Sequence, residues 1–194
     1  MAALDTDELY RRYLDKAIKE ILRLEHELTE AAGGQPLAQP TGHPLATIFL
    51  LKYGPQAQEL QEGVAFHGRA GHAVKRSLER LRVDASEVFG TNCLKFAGAD
   101  EEASRAFLRR ELRIVQPRLV VVMGDDALEF VNALAFPLAR PLEARLGELQ
   151  RFTPTIEALV VPDIDSSLDQ QSAKEAFWNA FKTIGPWWAE LPPY

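Results

Sequence analysis

Apolar positions along the chain follow two rhythms in succession. Over Asp5–Ala32 the residues Leu14, Ala17, Ile21, Leu24, Leu28 and Ala31 recur at spacings of three and four, the narrow stripe of an amphipathic helix. Gly33 and Gly34 stop it, and GGQPLAQPTGHP reads as a loop. The stripe packs either on its own domain or on a second copy. Fewer than about four full heptads are present, which favours packing within the chain and leaves a homodimer through this helix as the alternative.

From His43 onward short buried runs alternate with amphipathic stretches. Thr47–Tyr53 (TIFLLKY) predicts a buried strand that runs into a Gly-Pro turn. Ala70–Arg82 predicts a helix with Ala70, Val74, Leu78 and Leu81 on one face, and Glu87–Asn92 a short strand. Glu101–Val115 predicts a helix closed by Pro117, and Leu119–Met123 (LVVVM) the clearest strand. Gly124-Asp125-Asp126 then caps a helix over Ala127–Ala135. Ala158–Val161 predicts a fourth strand, and Ser172–Ile184 a last helix. Strands alternating with helices imply an α/β fold, three layers deep, with helices on both faces of a central four-stranded parallel sheet. In such sheets ligands sit beyond the carboxyl ends of the strands. Those ends are Gly54–Gly71, Asn92–Lys95, Gly124–Asp126 and Pro162–Leu168.

At 194 residues, with 46% hydrophobic and 26% charged residues, the chain suits one core-bearing domain and argues against disorder. The single cysteine, Cys93, excludes a disulfide framework and a cysteine-built metal site within one chain. No metal or other cofactor is expected from the residues, and Asp125-Asp126 reads as a capping pair. The N-terminus lacks the basic start and apolar core of a signal peptide, and no apolar run approaches the roughly 20 residues of a membrane span. A cytoplasmic protein without a membrane contact is the expectation. The net charge of −6 gives no general help with nucleic acid, so DNA contact needs a confined basic patch. Arg69, Lys75, Arg76, Arg80 and Arg82 along Ala70–Arg82 make either that patch or a solvated face.

GVAFHGRAG (Gly63–Gly71) follows the first strand and holds one large aromatic, Phe66, among small residues. Glycine permits positive φ and close backbone approach. Phe66 either stacks on a planar base or folds back into the core. Asn92, at a strand end, either reads the hydrogen-bonding edge of a base or makes an Asx turn. Lys95 is a candidate phosphate contact. His67 is a candidate general acid or base, and His72 reads as surface.

In order and spacing these segments resemble the uracil-DNA glycosylase superfamily, most closely its bacterial and archaeal iron–sulfur branch. KYGPQAQELQEGVAFHGRAG (52–71) is similar to that family's G-E-x-P-G-x-x-E-x-x-x-G-x-P-F-x-G-x-A-G without a gap, with Pro55, Glu59, Gly63, Phe66, Gly68, Ala70 and Gly71 matching. TNCLK (Thr91–Lys95) resembles T-N-x-x-K, QPRLVVVMGDDAL (Gln116–Leu128) resembles P-x-x-x-x-x-x-G-x-x-A, and Lys174 and Trp178 fit a K-x-x-x-W tail. The resemblance spans Leu45–Trp188, leaving residues 1–34 as a helical extension. It implies a base flipped out of DNA, stacked on Phe66 and read by Asn92, with the backbone of Gly54, Pro55 and Gln56 facing base or sugar. DNA, or a nucleotide, is the implied partner.

The resemblance also marks departures. Tyr53 stands where the family carries its water-orienting acid, and a neutral phenol cannot take the water's proton as a carboxylate does. The family's H-P-S falls on Asp165-Ser166-Ser167, or one residue earlier on Ile164. The histidine stabilises charge on the departing base; an ionised Asp165 opposes that charge, while a protonated one donates. Phe96 replaces a cluster cysteine. The wedge loop shrinks to SSLDQQSAK, leaving Arg69, Lys95, Ser167 and Leu168 as the candidate DNA contacts. Three functions follow: a diverged glycosylase for another base with His67 or Asp165 recruited, a non-catalytic base or nucleotide binder, or a partner-binding protein whose old pocket is plugged by Tyr53 or Ile164.

Overall fold

The computed structural model describes residues 6–192. In chain order it runs α1 (Thr6–Ala32), β1 (Thr41–Gly42), β2 (Ile48–Lys52), α2 (Ala57–Glu62), α3 (Arg69–Arg80), β3 (Val88–Asn92), α4 (Glu101–Val115) and β4 (Leu119–Met123). Then follow α5 (Asp125–Asn132), β5 (Leu149–Arg151), β6 (Glu157–Val161), α6 (Ile164–Ser167), α7 (Gln171–Phe181) and α8 (Ile184–Ala189). The sheet has six strands in the order β1-β3-β2-β4-β6-β5. Its inner four are parallel, as the alternation of strands and helices predicts, while β1 and β5 add short antiparallel edges. At two and three residues those edges are too short for a period of two to register in sequence.

All residues of β2, β3 and β4 are buried, the signature of strands covered on both faces. Alternation splits them between two cores. Phe49, Leu51, Phe89, Val120, Val122 and Val160 pack with Ile21 of α1, Leu108 and Leu112 of α4, and Phe130 of α5. Ile48, Leu50, Val88, Val121 and Leu159 pack with Val74 and Leu78 of α3, Ile164 of α6, Phe177 and Phe181 of α7, and Trp187 of α8. The result is the expected three-layer arrangement. Each fully buried Leu, Ile, Val or Phe contributes about 1.5–3 kcal/mol of transfer free energy.

The α1 stripe is used within the chain. Ala17, Ile21, Leu24, Leu28 and Ala32 are buried, and Arg110 of α4 donates through both Nη atoms to Glu27. Ala31 is exposed and its neighbour Ala32 buried, so the stripe ends one residue later than its spacing implies. The predicted last helix is two. Its chain breaks after Phe181 and restarts at Ile184, with Pro186 in the first turn, where a missing N–H costs little. No described helix is long and apolar enough to cross a membrane.

Candidate functional site

Strand alternation puts Lys52 and Tyr53, adjacent in sequence, on opposite faces of the sheet. Tyr53 goes to the α4/α5 side. Its ring meets Phe130 edge-on at 6.4 Å and its hydroxyl donates to Glu101 Oε1 at 3.3 Å. Burial, reinforced by the Glu101 carboxylate, pushes the phenol's pKa up, so it stays neutral.

Lys52 goes to the α3 side and is fully buried. Its ammonium donates to Glu59 Oε2 at 2.5 Å, Asp165 Oδ2 at 2.7 Å and Gly54 O at 3.0 Å. A lysine is tolerated there because two carboxylates and a carbonyl take its three N–H donors. Glu59, also buried, accepts from the Gln56 amide at 2.7 Å and the Phe66 amide at 2.5 Å. One carboxylate thereby ties the Gly54–Gln56 turn, the Phe66 loop and the Lys52 ammonium together. Sequence reasoning counted Glu59 only as a motif match and passed over Lys52. The available signal was a charged residue closing a wholly apolar strand, which must find a buried partner.

Phe66 is half-buried and held at φ 59°, a left-handed backbone that a bulky residue rarely adopts. Two glycines make room for it. A Cβ on Gly71 would lie 1.7 Å from Phe66 O, and one on Gly90 would lie 2.8 Å from the ring. The ring lines an apolar cavity of about 400 Å³ shared with Leu50, Val74, Leu78 and Val88, and the Lys52 ammonium lies 5.9 Å from its centroid.

Asn92 ends β3 in direct register with Lys52, so both side chains share the face that carries Phe66. It is fully buried, and neither its Oδ1 nor its Nδ2 has a hydrogen-bond partner. An orphaned buried carboxamide costs about 1–3 kcal/mol for each unmade bond, so it asks for an explanation.

At the carboxyl ends of β2, β4 and β6 lies a cleft of about 490 Å³ lined by Tyr53, Gly54, Pro55, Gln56, Asp125, Asp126, Asp163 and Asp165. Of the two registers considered for the loop after β6, Asp165 faces this cleft while Ile164 is core. Burial pushes the Asp165 carboxyl above its ordinary value, and the Lys52 ammonium pulls it back.

Lys52 and Glu59 tie the Phe66 loop, the Gly54–Gln56 turn and Asp165 together, with Asn92 on the same sheet face as Lys52, yet the Phe66 cavity and the Asp165 cleft share no lining residue. Other expected residues lie elsewhere. Lys95 is 1% exposed and internal. It donates to Thr91 Oγ1, to Asn92 O at 2.6 Å and to Glu111 Oε2 at 2.9 Å, so it is not available to a phosphate. Ser167 is also buried, its hydroxyl donating to Asp163 O at 2.5 Å, because α6 turns it inward. Leu168 is partly buried against the α3/α7 core rather than projecting as a wedge. Arg69 is exposed but bridged to Asp169 at 2.9 Å, and His67 is exposed. The basic side of α3 is partly engaged, with the Arg80 guanidinium 4.4 Å above the Trp178 ring. A cysteine-ligated cluster does not fit these residues: Cys93 is the chain's one cysteine, and burial raises its thiol pKa far above the usual range.

The model of the uracil DNA glycosylase superfamily matches residues 39–184. Among curated proteins, the chain is 23% identical over 155 residues to a type-4 uracil-DNA glycosylase of Archaeoglobus fulgidus, covering 74% of this chain and 78% of that protein.

Proposed function

Because the chain belongs to the uracil-DNA glycosylase superfamily, we propose that it receives a flipped base or nucleotide at Phe66 and Asn92 and does not carry out ordinary uracil excision. The observation that carries this reading is Asn92: a carboxamide with both polar atoms buried and unpartnered, on the same sheet face as an aromatic ring. A planar base offering one acceptor and one donor along its edge satisfies both atoms, and Phe66 supplies the stacking surface.

The missing excision rests on two positions. Tyr53 points its hydroxyl at Glu101, away from the Phe66 face, and is neutral. Asp165 stands where negative charge develops on a departing uracil; ionised, it opposes that charge. Loss of one oxyanion-type donor costs roughly 3–4 kcal/mol, about a hundred- to a thousandfold in rate. The test is a lesion panel of oligonucleotides carrying uracil, hypoxanthine or xanthine, read by strand cleavage after alkaline treatment and by fluorescence anisotropy. Binding that drops about 5- to 150-fold in Phe66→Ala, a stacking loss of about 1–3 kcal/mol, is expected. Uracil cleavage at the rate of an ordinary glycosylase overturns the loss of excision, and unchanged affinity in Phe66→Ala overturns the base site.

A non-catalytic, partner-binding protein on the same fold is the second reading. The observation that favours it is the Lys52 side chain, which runs fully buried beside Asn92 and Phe66.

A further inference from the structure

We infer that Lys52 is the residue that determines what enters this site, its side chain flanking Phe66 and Asn92 so that an entering base must displace its ammonium; the inference rests on the reading of those two residues as the base site. Three observations meet at this point. Lys52 pairs with Asn92 across β2 and β3 and projects from the same face. Its ammonium sits 5.9 Å from the Phe66 centroid, and the side chain is wholly shielded from solvent. The Asn92 carboxamide is just as shielded, yet bonded to nothing. An alkyl chain explains that pairing of facts: it excludes water from the carboxamide without offering it a donor or an acceptor.

The motif that 52–71 resembles has glycine where Lys52 stands, so the same backbone without this side chain leaves the face of Asn92 open. The ammonium end is anchored rather than loose. Glu59 Oε2, Asp165 Oδ2 and Gly54 O take its three N–H donors, and Glu59 also fixes the Phe66 and Gln56 amides. A base that stacks on Phe66 must first draw the ammonium away from two carboxylates, one of them fully buried. Lys52 therefore opposes entry of a small neutral pyrimidine, which offers those carboxylates no cation in exchange.

The test uses free uracil as the probe, with isothermal titration and the side-chain NH₂ resonances of Asn92 as the two readouts. Native protein and Lys52→Met, whose unbranched chain keeps most of the volume, are expected to show no Asn92 shift. Lys52→Gly is expected to bind uracil at least about tenfold more tightly than native, with the Asn92 signals moving on titration. If Lys52→Gly does not fold, Lys52→Gly combined with Asp165→Asn removes the surplus negative charge and carries the same expectation. Equal uracil affinity in native protein and the glycine variant, with Asn92 shifts in both, overturns the role of Lys52 while leaving the base site standing. Unmoved Asn92 signals in every folded variant overturn the inference. If Phe66→Ala is also indifferent on lesion oligonucleotides, the base site falls with it.

Discussion

Lys95→Met separates an internal ion pair from a nucleic-acid contact. In the native chain the Lys95 ammonium and Glu111 carboxylate are 1% and 0% exposed and 2.9 Å apart, with Thr91 Oγ1 and Asn92 O completing the ammonium's partners. Removing the lysine leaves the carboxylate buried without its counter-charge, a loss of about 3–5 kcal/mol. For a chain of this size each kcal/mol is worth roughly 2–4 °C in Tm, so a drop of about 6–20 °C is expected in thermal unfolding followed by circular dichroism. Burial already holds the Glu111 carboxyl above its ordinary 4.5, with Lys95 pulling it down. A carboxyl raised by folding contributes stability that is fully present below about 4.5 and is lost as pH rises through its folded value. Without Lys95 that value rises further. The variant's deficit is therefore largest at neutral pH and shrinks on acidification towards 4.5. Replacing both partners, Lys95→Met with Glu111→Leu, is expected to recover part of the loss, since no unpaired charge stays buried, while Thr91 Oγ1 still loses its two partners. A variant within about 2 °C of native refutes the reasoning. So does one whose only change is a shallower salt dependence of DNA affinity, the mark of a lost phosphate contact.

Three further expectations follow from packing and titration. Cys93 is buried with its thiol pKa pushed far up, so Ellman's reagent is expected to leave it untouched in native protein and titrate one thiol after denaturation; rapid native labelling counts against this. Gly90→Ala places a methyl 2.8 Å from the Phe66 ring, so the ring is displaced at a cost of about 1–3 kcal/mol and base affinity falls with it; an unchanged Tm and affinity argue against the close approach. Ile21→Ala removes a side chain packed in the α1/α4 core, so about 2–5 kcal/mol of domain stability is expected to go; a stable variant whose only change is in sedimentation means the stripe serves another copy instead.

What the sequence determined by itself was local and periodic. Apolar runs of four and five residues identify β2 and β4 to within two residues, because a strand covered on both faces is apolar along most of its length. Helical spacing marks α1, α3 and α4 for the complementary reason: each shows the core a single stripe. The order of glycines around Phe66, together with Thr91-Asn92, marked Phe66 in a loop and Asn92 at a strand end as candidates, and Asn92 does end β3 on the face against which Phe66 packs. The edges β1 and β5 left no trace, being too short to repeat.

Tertiary structure decided where charge goes. Lys52 and Asp165 are 113 positions apart, and nothing local to either reports that they meet. Lys95 and Ser167 read as surface residues by type, yet each is internal, because the chain supplies Glu111 from α4 to one and the Asp163 carbonyl to the other. Side-chain periodicity says which face a residue occupies, but the cost of burying a charge depends on partners that only folding delivers. For that reason Phe66 and Asn92 could be picked out as candidates from the sequence, while the buried lysine beside them became visible only once β2, α2 and α6 had converged.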